Sequence, residues 1–161
     1  MKHTAILKII FTALLLSTFV NSYAQSADVE TTFKKILDKH ESASGVISMT
    51  ATKGNGLELM KMMFNKEFGK DFMKGVRSIS FIEYSDASED TCMALRKDID
   101  VFMSLLREID LSGEKQFSDN KYMRCFASIS DDISISDFVI AMEDDETKML
   151  MYMAGTIKMT F

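Results

Sequence analysis

Apolar residues recur along this chain with two different periods, and the switches between them mark out its elements. From Asp28 to His40 the positions Val29, Phe33, Ile36 and Leu37 fall at i, i+4, i+7 and i+8, one face of a helix. Glu41-Ser42-Ala43-Ser44-Gly45 stops it. Val46 to Thr52 then alternates, Ile47, Met49 and Ala51 on one side and Val46, Ser48 and Thr50 on the other, which predicts a strand. Gly54-Asn55-Gly56 turns the chain, and helical spacing resumes through Leu57, Met60, Met63 and Phe64 to about Asn65. A turn or short helix over Lys66 to Met73 ends at Gly75. Val76 to Tyr84 reads as a mostly apolar strand, the pattern of one inside its sheet.

The longest helix follows. Ser88 is a natural N-cap, with Glu89 and Asp90 opposing the positive end of the helix dipole. Cys92, Leu95, Ile99, Phe102, Leu106 and Ile109 form one stripe, and a polar connection runs from Leu111 to Asn120. Three strands close the chain, at about Tyr122 to Ile129, Asp137 to Glu143 and Lys148 to Thr160, the last two joined by the turn Asp144-Asp145-Glu146-Thr147. The expected fold is a two-layer α+β domain, about three helices packed on one face of a five-stranded mixed sheet.

The first twenty-four residues follow neither period. Lys2 and His3 lead into an apolar run from Ala5 to Val20 that ends in Asn21-Ser22-Tyr23-Ala24 before Gln25. This is the pattern of a secretory signal cut between Ala24 and Gln25. A membrane-spanning anchor takes about 20 mostly apolar residues, and this run is shorter and carries Lys8. The residue after the cut is not cysteine, so no lipid is attached there. The expectation is a periplasmic or secreted protein with residues 25–161 as its single domain and no stable membrane anchor.

Loss of Lys2 and Lys8 leaves 17 of the 19 basic residues against 24 acidic ones, a net charge of −7. Nucleic-acid binding needs clustered Lys and Arg, so a nucleic-acid partner is not expected. The 161 residues contain no proline and 14 methionines. Met60, Met62, Met63 and Met73 sit in the second helical region, and Met149, Met151, Met153 and Met159 alternate in the last strand. Thioethers suit soft metals, but these spacings are those of a core face, and Met fills irregular gaps well.

His40 is the only histidine beyond the leader. A polyhistidine zinc site therefore lacks its ligands, and a nucleophile–histidine pair would have to use His40, whose place at a helix C-terminus suits a cation better. Cys92 and Cys125 are the only cysteines, and both face an apolar interior. They form a candidate disulfide, with two separate buried thiols as the favoured alternative. The acidic groups at Asp86 to Asp90, Asp131-Asp132 and Glu143 to Glu146 lack calcium-loop spacing. Lys53-Gly54-Asn55-Gly56 lacks the ending of a P-loop. No catalytic residue, metal site or cofactor is assigned.

The chain resembles the domain-of-unknown-function family 4252, small exported proteins of Gram-negative bacteria. The likeness is carried by Tyr23-Ala24-Gln25, Phe33-Lys34-Lys35-Ile36-Leu37-Asp38-Lys39-His40 and Gly45-Val46-Ile47-Ser48-Met49. It continues through Val76-Arg77-Ser78-Ile79-Ser80-Phe81, Asp137-Phe138-Val139-Ile140-Ala141-Met142, and Met149 to Ile157 around Gly155. It brings no established activity. Its association with genes for extracytoplasmic-function sigma factors implies envelope sensing or stress response. The leading expectation is a non-enzymatic domain that binds a protein partner in the envelope. Two alternatives stay open: an enzyme whose site gathers scattered carboxylates, and a carrier of a small apolar ligand or soft metal on a Met-rich surface.

Overall fold

The structure, a computed structural model, describes residues 28–110, 122–129 and 134–158. The leader with its cut at Ala24 and Gln25, the connection 111–121, Asp131-Asp132 and Met159 lie outside the described residues. Among those described, the order is α1 (28–40), β1 (Ile47–Ala51), α2 (Asn55–Phe68), β2 (Gly75–Glu83), α3 (Glu89–Met103), β3 (Arg107–Ile109), β4 (Met123–Ile129), β5 (Ser134–Glu143) and β6 (Lys148–Lys158).

Local signals fall where expected in several elements. Ser88 caps α3, its side chain accepting from Thr91 N at 3.3 Å, and Cys92, Leu95, Ile99 and Phe102 bury one stripe. The β5–β6 turn is held by Asp144 Oδ1, which accepts from Glu146 N at 2.8 Å and Thr147 N at 2.6 Å. Gly45 ends the α1–β1 loop at φ +76, where a Cβ would stand 2.1 Å from Asp86 O, so the backbone approach there requires glycine.

The sheet departs from the expectation. Among the described residues it has six strands, not five, in the order β1-β2-β6-β5-β4-β3, and every neighbouring pair is antiparallel rather than mixed. The added strand is β3, which occupies the stretch where the stripe of the long helix was expected to continue through Leu106 and Ile109. The helix stops earlier because Leu105 N and Leu106 N turn back to Phe102 O and Met103 O at 3.1 and 3.0 Å. Among the described strands parallel neighbours are absent for a topological reason. After β1, α2 returns to the same end of the sheet, so Ala51 pairs with Ile79 near the start of β2. β2 and β3 do run the same way, but three strands lie between them.

Nor do the helices share one face. Leu150, Tyr152 and Ala154 of β6 join Val29, Phe33, Ile36 and Leu37 of α1 and Leu95, Ile99 and Phe102 of α3. Met151, Met153 and Ile157 of the same strand point the other way, toward Leu57, Met60 and Phe64 of α2. An interior strand apolar on both faces needs cover on both, since fully burying each large side chain contributes about 1.5–3 kcal/mol. The fold is therefore three layers, with α1 and α3 on one face and α2 on the other. The first face is aromatic: Phe33, Phe102 and Tyr152 stack at centroid distances of 5.1, 5.0 and 6.0 Å. The second is rich in methionine, with Met73 and Met153 fully buried and Met60, Met123, Met142 and Met151 half-buried.

Candidate binding site

Where α1 overlies β1 and β2, the aromatic face gives way to hydroxyls. The register places Thr50 opposite Ser80 and Ser80 opposite Tyr152. Thr50 Oγ1 and Ser80 Oγ lie 2.9 Å apart in a hydrogen bond. One position along each strand's face stand Ser48 and Ser78. With Thr52 these side chains form one wall of a cleft of about 450 Å³, and Phe33 and Tyr152 line it from the interior. The opposite wall is the flank of α1, where Glu30, Lys34, Asp38 and Glu41 project. Glu30 is tied to Arg77 of β2 at 3.3 Å.

Two buried features define the inner end. Ser78 is 8 % exposed and lines the cleft at this end. Behind the cleft, Tyr152 donates its hydroxyl to Oδ1 of the fully buried Asp137 at 2.7 Å. Burial first, and the Asp137 carboxylate second, push the Tyr152 phenol well above its ordinary value, so it remains a donor. Asp137 sits at φ +52, at the irregularity in the β5–β6 pairing between Ser136 and Phe138.

The sequence-derived candidates lie elsewhere. His40 ends α1, buried against α3, where its Nε2 donates to Asp98 Oδ2 at 2.7 Å. Lys39 Nζ reaches the same oxygen at 2.7 Å. Burial alone would raise the Asp98 carboxyl, but the hydrogen bonds from Lys39 and His40 outweigh it and hold the group below its ordinary value. This cluster ties two helices together, away from the cleft.

Cys92 and Cys125 are both buried free thiols. They belong to opposite faces of the sheet, Cys92 beneath α3 and Cys125 among the side chains on the α2 side. The shared interior that would have let them bond is in fact two interiors with the sheet between. Burial, with a smaller push from Glu108, drives the Cys125 thiol up to about 12. Glu143, in one acidic group, pairs with Arg96 of α3. Among the described residues no three His, Cys, Asp or Glu side chains gather as a metal site, and no helix is long and apolar enough to cross a membrane.

The cleft residues carried a sequence signal that periodicity alone does not rank. Ser48 and Thr50 alternate with Ile47 and Met49, and Ser78 and Ser80 alternate with Ile79 and Phe81. Two strands that share hydroxyls on the same face, where other strands are apolar, mark a place that is not packed shut. No family model matches the chain, and no curated protein or solved structure is significantly similar to it.

Proposed function

We propose that the chain is an exported, non-enzymatic module that binds a partner protein in the periplasm or outside the cell, as part of envelope signalling or stress response. Export rests on the leader ending at Ala24, and the envelope role on the resemblance to family 4252. The observation that carries partner binding is the cleft between α1 and β1–β2, lined by hydroxyls that the core leaves unpacked. Its carboxylates also bear on the enzyme alternative. Glu30, Asp38 and Glu41 all stand on the α1 wall, and among the described residues the facing wall offers hydroxyls and Met49 but no carboxylate. Carboxylate-driven glycoside cleavage needs an acid and a base on either side of the scissile bond. This arrangement favours binding.

The test is a photo-crosslinking side chain introduced in the host at position 50 in place of Thr50, with position 93 on the exposed flank of α3 as control. A discrete crosslinked partner at position 50 and none at 93 is the expected result. No crosslink at 50, together with turnover in a hydrolase screen, overturns the reading. Export is checked separately, by N-terminal sequencing of the mature product, which should begin at Gln25.

A further inference from the structure

The cleft does not end at side chains. Ser48, Met49 and Thr50 all border it, although consecutive side chains of a strand point to opposite faces. The backbone of β1 is therefore part of its border, and among the described residues β1 is an outermost strand, paired with β2 alone. Open strand edges pair readily with another strand, and proteins that avoid this place charge, proline or a bulge there. Over Ile47–Ala51 β1 has none of these: its sequence is Ile-Ser-Met-Thr-Ala, and its pairing with β2 is regular.

Resting on the partner-binding reading, we propose that the partner enters as an extended segment that adds to the free edge of β1. Its alternate residues are basic on the cleft side and apolar on the other.

The alternation follows from what flanks the edge. An added strand continues the pleat, so its side chains divide between the two faces of β1. On the α1 side they meet the carboxylates of Asp38 and Glu41 beside the ammonium of Lys34, with Glu30 already paired to Arg77. The long stem of a Lys or Arg lets its charged head reach these carboxylates from the added strand. The hydroxyls of Ser48, Thr50, Ser78 and Ser80 line the same side of the cleft. On the opposite side the added residues meet Ile47 and Met49, which are 60 % and 49 % exposed. Met49 begins an apolar row that crosses all six strands through Phe81, Met151, Ile140, Cys125 and Ile109. Two of these six are methionines, whose flexible thioethers adapt to different apolar neighbours.

The exported protein is titrated, by fluorescence anisotropy, with a capped eight-residue peptide alternating Lys and Val. A Glu–Val alternating peptide and a block peptide of four Lys followed by four Val serve as controls. The alternating Lys–Val peptide is expected to bind at least about tenfold more tightly than either. Both Met49→Asp and the pair Asp38→Lys with Glu41→Lys should weaken it by about tenfold or more while the thermal transition stays in place. Equal binding of the block peptide, or unchanged binding by these variants, overturns strand addition. The broader partner-binding reading survives that result if position 50 still crosslinks and falls only if it does not. Sedimentation showing a dimer of the chain alone, dissolved by Met49→Asp and unaffected by the peptide, would assign the edge to a second copy and overturn the proposal.

Discussion

The two outer strands of the sheet, β1 and β3, meet the same problem in opposite ways. β3 is three residues long and charged: Arg107 and Glu108 are exposed, and Glu108 takes a two-pronged contact from Arg124 at 2.8 and 2.9 Å. Hydrogen bonds from Arg124 hold the Glu108 carboxyl below its ordinary value, so this edge stays charged. Arg124 also lies over the Phe126 ring at 4.9 Å. β1 is longer, uncharged, and exposes Ile47 and Met49. Shortness and charge are the usual defences of an edge. Where one edge carries them and the other lacks them, the bare edge is the one available for recognition.

The contrast predicts that what lies behind β1 is structural, whereas what lies along it is not. The largest effect belongs to Phe33→Ala, which removes the aromatic wall shared by the cleft and the core; urea denaturation should show a loss of about 3–5 kcal/mol. Tyr152→Phe keeps the ring but takes a donor from the buried Asp137 carboxylate, and should cost about 1–3 kcal/mol in the same measurement.

A smaller contribution comes from the Asp98 cluster, and its sign in pH is defined. With its folded carboxyl held below the unfolded value of about 3.9, the unfolded chain takes up the proton first as pH falls. The stabilisation is complete above that value and drains away as pH drops through the folded one. Thermal melts between neutral and acid pH should slope less steeply in Asp98→Asn than in the parent. Smallest of all, Met49→Lys should change stability by no more than about 0.5 kcal/mol, as expected of an exposed site. Arg124→Ala, which strips β3 of its ion pair, should cost at most about 1 kcal/mol. If Met49→Lys proves strongly destabilising, β1 is a packed strand and the contrast fails.

Much of this architecture is legible in local pattern. The spacing of Val29, Phe33, Ile36 and Leu37, the cap at Ser88 and the alternation around Ile47 each report geometry set within a few residues. The assignment of helices to faces is not local. Leu57, Met60 and Phe64 have the same helical period as the stripe of α3, and only the path of the chain sends them to the other side. The same path separates Cys92 from Cys125. β3 was hidden because Leu106 and Ile109 continue the helical spacing of α3, while the actual stop lies in the tight turn at Leu105 and Leu106. β5 begins earlier than expected because Ser134, Ser136 and Asp137 look like a turn. Asp137 tolerates its left-handed backbone there, as aspartate can. The cleft was written in plain Ser and Thr residues, but its depth depends on where α1 lies, which no single segment states.

Amide hydrogen exchange of the purified protein, with and without the alternating Lys–Val peptide, tests the open edge most directly. Protection gained across Ile47–Ala51, with Arg107–Ile109 unchanged, is the expected result. Protection gained at β3, on α2, or nowhere along β1 would contradict it.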